Sequence, residues 1–289
     1  MNLAIDFITP KGHANFNDTI IKKFKIDIYL KKNYLFSNKC KVINFYGLKS
    51  GFGWNVRLER LIYFPIIFIL NMRLIFKAKN VYFLSYDFYS EPFLIFFTSL
   101  FKNTFVIHHG TVDIHNGFLN NYIKKTFIKY FFYKCNNIVL IESYGSYLKS
   151  LGSDNISYMR HPFTINQKIV DSVYKPFEKR INKFAMLSRS DDIYSVEMSM
   201  EFEKINEKLL TRSDFKNKNV QDPVEVLCDT QYFIFWEVFD YKVSGWVYDA
   251  IQCGCNIVIR DSKFAKNLKK EFQDKIHIIT SVQEINKIV

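Results

Sequence analysis

The sequence predicts an α/β protein built from two parallel β-sheets with helices packed on them. Short apolar runs alternate with helical stretches along most of the 289 residues, which is the order expected of βαβ units. The runs are continuous, as in strands that are buried on both faces. A charged, irregular stretch at 166–182 divides them into two series. We therefore expect two Rossmann-like domains, 1–165 and 183–289, joined by a linker at 166–182.

The first series begins with an apolar strand at the N-terminus. Its strands are expected at 2–9, 41–46, 80–87, 104–110, 137–142 and 156–162. Its helices are expected at 17–25, 90–101, 116–134 and 143–152, with one long helix or two across 54–78. Pro65 is the expected break within 54–78, because proline lacks the N–H that a helix interior requires.

The second series is shorter than the first. Its strands are expected at 183–190, 231–237, 255–261 and 275–280, and its helices at 195–210, 244–254 and 262–273, with a short helix at the end. The stretch 224–229 fits either a weak strand or a helix. Only about 40 residues separate Ser190 from the strand 231–237. A strand–helix unit is therefore expected to be reduced or missing there.

Charge is distributed unevenly between the two halves. Residues 1–165 contain 21 Lys and Arg against 9 Asp and Glu, which accounts for the whole net charge of +12, whereas residues 166–289 contain 19 of each. A basic half favours an anionic neighbour, either a membrane surface, a phosphate or a nucleic acid. The alternative is a lysine-rich, solvated surface that reflects codon usage. A nucleic-acid interface is disfavoured because the aromatic residues follow the core pattern and no binding motif is present.

Other sequence features exclude several classes of protein. The longest apolar run, 61–70, is shorter than the roughly 20 residues of a membrane span, so it predicts a buried or a membrane-touching helix. The N-terminus lacks the pattern of a signal peptide. Five scattered cysteines without zinc-site spacing indicate reduced thiols in a cytoplasmic protein and no metal site.

The stretch 241–258 is the most informative motif. Ser244 is placed to cap a helix that begins at Gly245, and the N–H groups of a helix N-terminus suit a diphosphate. Asp249 follows Gly245 by four residues and so lies on the same side of that helix. A carboxylate there can accept hydrogen bonds from ribose hydroxyls. The alternative is an ordinary amphipathic helix of an unrelated α/β protein.

This stretch resembles the nucleotide-binding segment of bacterial GT-B glycosyltransferases. Many of those carry a Glu, seven further residues, Glu-Ala, a small-residue helix, a Gly and a Val/Ile strand. Asp249-Ala250 matches the second Glu-Ala, and Gly254 matches the helix stop. Ser-Gly-x-x-x-Asp-Ala, as found here, is typical of a subset of the superfamily. Tyr241 occupies the place of the first Glu, unless Asp240 or Glu237 substitutes with a shift.

The resemblance implies two Rossmann-like domains that face each other across a cleft, together with a set of site residues. The implied catalytic candidates are His109, either as a base or as a hydrogen-bond donor to the phosphate, and then Asp87 as a base for the acceptor hydroxyl. The implied substrate-binding residues are Gly12, His13, His108, Ser188, Arg189, Tyr241, Ser244, Gly245 and Asp249. The alternatives are a structural histidine pair, a helix-capping Asp87 and a surface Arg189. No metal or other cofactor is expected, because the helix N-terminus and Arg189 would neutralise the diphosphate.

The function implied is sugar transfer from a nucleotide diphosphate sugar to a glycan acceptor, with the acceptor lipid-linked as in bacterial surface polysaccharide or O-antigen synthesis. The protein would then be cytoplasmic and peripheral on the inner face of the cell membrane, with no nucleic-acid partner. Two alternatives stay open at this point: an inactive GT-B scaffold, and a GT-B-type sugar-nucleotide epimerase. The missing first Glu and the short second series favour the scaffold over the epimerase.

Overall fold

The computed structural model describes residues 1–6, 14–32, 40–45, 59–86, 90–109, 118–187, 193–211, 214 and 223–288. The chain divides into two compact units, Met1–Arg160 and His161–Val289. Each unit contains one parallel sheet with helices, so the predicted fold class is confirmed.

The first unit is built on a seven-stranded parallel sheet with the order β3-β2-β1-β4-β5-β6-β7. Its strands are β1 (Asn2–Asp6), β2 (Ile28–Lys32), β3 (Lys41–Phe45), β4 (Asn80–Phe83), β5 (Asn103–His108), β6 (Asn136–Val139) and β7 (Ile156–Tyr158). The sequence did not reveal β2, because the strand is short and ends in Lys31 and Lys32, which are typical of a loop. Lys31 is nevertheless fully buried.

The helices of the first unit are α1 (Ala14–Lys23), α2 (Phe64–Leu70), α3 (Met72–Lys77), α4 (Glu91–Ser99), α5 (Phe118–Phe131) and α6 (Glu142–Ser150). A π-helical turn, Glu59–Tyr63, precedes α2. Pro65 lies in the first turn of α2, where no N–H is needed, so the expected break coincides with the change from the π-helical turn to α2. A second interruption falls at Asn71, whose side chain donates to the carbonyl of Ile67 at 2.8 Å and so competes with the helical pattern.

An asparagine ladder runs across the amino ends of the first sheet. The side-chain amide of Asn80 donates to Asn2 at 2.9 Å, that of Asn103 donates to Asn80 at 2.9 Å, and that of Asn136 donates to Asn103 at 2.7 Å. These four residues begin β1, β4, β5 and β6. The amino edge of the sheet is therefore closed by side chains that satisfy one another.

The second unit contains a five-stranded parallel sheet with the order β12-β11-β10-β8-β9. Its strands are β8 (Asn182–Met186), β9 (Leu209–Thr211), β10 (Thr230–Phe235), β11 (Asn256–Arg260) and β12 (Ile276–Ile279). Its helices are α7 (Gln167–Val173), α8 (Ile193–Lys204), α9 (Pro223–Cys228), α10 (Gly245–Gln252) and α11 (Lys263–Phe272), followed by a 3-10 helix at Val282–Lys287. The strand–helix unit expected to be reduced or missing retains the three-residue edge strand β9. The ambiguous stretch 224–229 is helical.

The segment predicted as a linker, 166–182, lies within the second unit. It contains α7 and, near its end, Arg180, which is 5% exposed. The Arg180 guanidinium donates to the carbonyls of Thr230 at 2.7 Å and Cys253 at 2.9 Å. Gly254 has a φ of +84° and would place a Cβ 2.7 Å from Arg180 Nη2. Arg180 therefore ties this segment to β10 and to the turn before β11.

Candidate active site

The second sheet reverses its strand order beside β8. After β8 the chain forms β9 on one side and β10 on the other. Ligands of open parallel sheets bind at such a point, beyond the carboxyl ends of the strands. A ligand of the second unit is therefore expected at the carboxyl ends of β8 and β10.

A cavity of about 470 Å³ opens at these two strand ends. Its lining includes the end of β8, the whole end of β10 and the start of α10, and it combines aromatic rings with a few polar groups. The lining residues are Met186, Leu187, Phe233, Ile234, Phe235, Trp236, Glu237, Phe239, Lys242, Ser244 and Trp246. Concave sites with mostly apolar walls and a few convergent polar groups are typical of small-molecule binding.

A second cavity, of about 580 Å³, lies near the amino ends of β8 and β10. It is lined by Lys175 and Asp229, whose side chains form an ion pair at 2.9 Å. Because ligands bind at the carboxyl ends of parallel strands, its position disfavours it despite its larger volume.

The start of α10 leaves backbone donors available at the 470 Å³ cavity. Ser244 occupies the N-cap position with extended backbone (φ −106°, ψ 119°) but makes no side-chain capping hydrogen bond. A Cβ added at Gly245 would meet no atom within 4 Å, so the helix start has open space beside it. The N–H groups of the first turn of a helix need partners from outside the helix. Trp246, in the same turn, lines the cavity with a side chain that is 37% exposed.

The structure distinguishes the three candidates for the missing first Glu. Tyr241 has its hydroxyl 3.3 Å from Lys263 Nζ, and the same ammonium lies 4.7 Å from the Tyr241 ring centroid. Asp240 accepts from the backbone N–H of Lys263 at 3.2 Å, at the start of α11. Glu237 alone of the three lines the cavity. It is therefore the carboxylate placed to contact a ligand there.

Asp249 lies beside the cavity-lining residues but is not one of them. Its carboxylate accepts from the Thr164 hydroxyl at 2.7 Å. One turn later, Gln252 exchanges hydrogen bonds with the backbone of Ile165, at 3.2 and 2.9 Å. Desolvation by burial raises the pKa of Asp249, and the hydrogen bond from Thr164 opposes that shift. In the structure Asp249 thus holds the segment before α7 against α10.

Two residues at the cavity were missed by the sequence analysis. Lys242 supplies the cavity with an ammonium group, and the Trp236 ring has the guanidinium of Arg260 5.5 Å from its centroid. Their signal was positional: both follow β10 within seven residues, in a loop at the carboxyl edge of the sheet. Neither residue belongs to the Glu-Ala pattern, so the resemblance did not point to them.

In the first unit, His108 is part of the core. It is 1% exposed and ends β5. The Tyr86 hydroxyl lies 2.7 Å from Nδ1, and Asn137 Oδ1 lies 2.8 Å from Nε2. The Asn137 amide donates to two backbone carbonyls, so its oxygen accepts from Nε2–H, and Nδ1 accepts from Tyr86. Burial lowers the pKa of His108 to about 4. These contacts match the alternative of a structural histidine.

His109 differs from its neighbour in exposure. It is half-buried, its Nε2 donates to the Leu84 carbonyl at 2.9 Å, and the ring of Phe16 packs edge-on at 4.6 Å. Leu84 follows β4, so His109 lies at the carboxyl ends of β4 and β5. The remaining predicted site residues, Gly12, His13, Asp87, Ser188 and Arg189, lie outside the described residues.

A buried carboxylate that the sequence analysis did not select ends β1. Asp6 is fully buried and accepts from Asn17 at 2.7 Å, from the Tyr29 hydroxyl at 2.9 Å and from the Ser85 hydroxyl. The strand order of the first sheet reverses between β1 and β4, and the hydrogen bond from Ser85 joins the ends of these two strands. The Asp6 carboxylate at this switch point is therefore engaged by side chains of the same unit and is not exposed.

Within the described ranges, no group of three or more His, Cys, Asp or Glu side chains could hold a metal ion. Among the helices that the structure describes, none is long and apolar enough to cross a membrane.

Comparison with solved structures identifies the architecture. Alr3699/HepE of Anabaena, crystallised with UDP and glucose, is similar over 92% of this chain and 82% of its own, with a TM-score of 0.62 at 10% identity. A glycosyltransferase from Rickettsia africae is similar over 99% of this chain and 87% of its own, with a TM-score of 0.62 at 11% identity. The chain has the GT-B fold.

A third similar structure belongs to a protein of Listeria monocytogenes assigned as a UDP-N-acetylglucosamine 2-epimerase. It has a TM-score of 0.50 at 10% identity, and it covers 94% of this chain and 87% of its own. No protein-family model matches the sequence, and no curated protein matches it. The GT-B similarity therefore rests on the structure. In the sequence, the resemblance is limited to the motif around α10.

Proposed function

We propose that the protein is a glycosyltransferase that uses a nucleotide diphosphate sugar as donor. The observation that carries the proposal is the 470 Å³ cavity at the switch point of the second sheet, with the start of α10 in its wall. The structurally similar HepE was crystallised with UDP and glucose, which supports a uridine nucleotide as the first donor to test.

The chemistry of the cavity matches the parts of such a donor. The diphosphate would accept hydrogen bonds from the first-turn N–H groups of α10, and Lys242 would balance part of its charge. Trp236 and Trp246 offer aromatic surfaces to the base or to the apolar face of the sugar. Glu237 would accept hydrogen bonds from sugar hydroxyls. Asp249 stays the proposed ribose contact, reached if nucleotide binding displaces the Thr164 hydroxyl.

The acceptor hydroxyl needs a base, and His109 is our first candidate. Its Nε2–H donates to Leu84, so Nδ1 of the neutral ring carries the lone pair that would take the proton. Asp87 is the second candidate. We expect His109→Ala to lower turnover by roughly 10²-fold while UDP affinity changes little, because the proposed donor contacts lie in the second unit. Full activity in this variant would transfer the role to Asp87.

We further propose that the acceptor is a lipid-linked glycan and that the protein works at the inner face of the cell membrane, in bacterial surface polysaccharide synthesis. The basic first half of the chain supports an anionic surface as neighbour. Proposed donor binding without a metal ion would rely on Lys242, Arg189 and the start of α10.

Calorimetry with UDP, followed by release of UDP from a panel of UDP-sugars, tests the proposal. We expect UDP binding that is weakened by Lys242→Ala and unaffected by Lys204→Ala, an exposed lysine on α8. No binding and no turnover with any donor would favour an inactive scaffold. Conversion of UDP-N-acetylglucosamine to its 2-epimer would favour the epimerase, which is the weaker alternative because the epimerase structure is the less similar one.

A further inference from the structure

The helices α2, α3 and α4 of the first unit expose large apolar side chains on their outer surface. Leu70 at the end of α2 is 73% exposed and Ile69 is 61% exposed. We call the following set the apolar face: Ile66, Ile69, Leu70, Phe76, Phe93, Phe97, Leu100 and Phe101. Exposed apolar residues are ordinary when single, but contiguous groups mark interaction sites.

Ring contacts make the apolar face one surface. Phe97 of α4 lies 6.2 Å from Phe68 of α2 and 5.1 Å from Phe101. Phe101 in turn lies 5.8 Å from Phe76 of α3. Phe68 is itself buried, so it packs α4 against α2 beneath the exposed side chains, and Phe101 joins α4 to α3. The apolar face therefore extends beyond the apolar run at 61–70.

The apolar face continues onto α5, where Phe93 packs 4.7 Å from Phe131. The charges around it are almost all of one sign. The described segments that contribute it, 59–86, 90–109 and 118–134, contain nine Lys and Arg against two acidic residues, Glu59 and Glu91, and Glu91 is fully buried. The described basic side chains are Arg73, Lys77, Lys79, Lys102, Lys125, Lys129 and Lys134.

We propose that this face is the membrane-docking surface of the protein and that its occupant is an anionic lipid bilayer. An apolar centre with mostly basic surroundings complements acyl chains below anionic headgroups. A second copy of the chain fits less well, because a symmetric pairing would bring two basic rims together. An acidic protein partner would need its own large apolar patch. The proposal locates the membrane contact of the proposed transferase, but lipid binding does not depend on transferase activity.

Flotation of the full-length chain tests the proposal directly, with vesicles of phosphatidylcholine alone and with added phosphatidylglycerol. We expect recovery with the anionic vesicles and a decrease on raising salt from about 0.1 to about 0.5 M, since screening weakens the attraction of the basic residues. No recovery with anionic vesicles, or equal recovery with both kinds, would overturn it.

Two pairs of substitutions locate the contact. Ile69→Ser with Leu70→Ser removes apolar area, and Arg73→Glu with Lys77→Glu reverses charge on exposed side chains. Each pair should lower binding to anionic vesicles by about tenfold or more. The matched control is Ile181→Ser, which changes a side chain that is 80% exposed in the second unit and should bind as the unchanged protein does.

Two further measurements keep the outcomes distinct. Thermal unfolding of each variant identifies any pair that fails to fold, in which case the single changes Leu70→Ser and Lys77→Glu replace it. Sedimentation in the absence of lipid tests self-association: a dimer that Ile69→Ser with Leu70→Ser converts to a monomer would reassign the face to a second copy. Flotation without UDP binding would leave the docking surface in place and remove the proposed transferase.

Discussion

The two sheets use the polar residues at their switch points in opposite ways. In the first unit, Asp6 is enclosed and bonded to other side chains of the same unit. In the second unit, Glu237, Lys242 and Ser244 line an open cavity. A buried polar group that is satisfied internally contributes to stability, whereas one that lines a cavity is available to a ligand. The switch-point carboxylate Asp6 is therefore structural in the first unit, whereas the polar residues at the switch point of the second unit form a candidate binding site.

The largest effect should come from Asp6. Asp6→Ala removes the acceptor of three hydrogen bonds and leaves buried donors without it, so we expect a loss of about 4 kcal/mol of unfolding free energy. Urea denaturation measures it, and Asp154→Ala, an exposed carboxylate of the same unit, should change stability by less than about 0.5 kcal/mol. If Asp6→Ala were as stable as the unchanged protein, Asp6 would not be structural and the contrast between the two switch points would be wrong.

A slightly smaller effect should appear on acidification, through His108. Its pKa is lowered to about 4 by burial, below the ordinary 6.5. The unfolded chain therefore takes up a proton below about pH 6.5 that the folded chain does not, and stability present above that pH is lost as the pH falls towards 4. The loss is on the order of 3 kcal/mol. His108→Gln keeps a hydrogen-bond donor and an acceptor but cannot take up the proton, so its unfolding free energy should change less between pH 7 and 4.5 than that of the unchanged protein. Parallel pH profiles of the two proteins would contradict this.

Substitutions at the cavity of the second unit should change ligand affinity and leave the stability of the fold unchanged. Lys242→Ala removes the ammonium group from the cavity, and we expect UDP affinity to fall by about 2 kcal/mol, the size of a charged hydrogen bond. The melting temperature should stay within about 2 °C of the unchanged protein. Lys242→Arg should recover much of the affinity. A large loss of stability with no loss of affinity would make this switch point structural too.

The last prediction concerns Asp249, which combines both roles because it accepts a hydrogen bond from Thr164 and is also the proposed ribose contact. Burial raises the pKa of Asp249 above its ordinary value of 3.8. Between these two pKa values the folded chain holds a proton that the unfolded chain has lost, so the stability of the folded state declines as the pH rises through this range. Asp249→Asn keeps an acceptor for Thr164 and should remove that decline, so its stability should change less between pH 4 and pH 7 than that of the unchanged protein. Asp249→Ala should weaken UDP binding by about 1–3 kcal/mol. Calorimetry on both variants separates the ribose contact from the structural bond.

The periodicity of apolar residues predicted the larger elements well. The runs that became β1, β4, β5, β10 and β11 are buried on both faces, and such strands have a continuous apolar pattern. The helix α10 was predicted to start at Gly245 and does, with Ser244 at the N-cap position, but the predicted capping hydrogen bond from the Ser244 side chain is not made. The strand β2 was missed because its two lysines interrupt the apolar pattern, and β9 was missed because it has only three residues.

The sequence by itself determined the α/β class, the division of charge and the helix whose start lies at the cavity, since these follow from local pattern and composition. The tertiary structure decided which polar groups are enclosed and which are open. His108 and His109 are adjacent in the chain, yet one has both ring nitrogens bonded in the core and the other is half-buried. It also decided that the phenylalanines of α4 are partly exposed and adjacent to those of α2 and α3. Burial and contact depend on packing between distant segments, which no local pattern specifies.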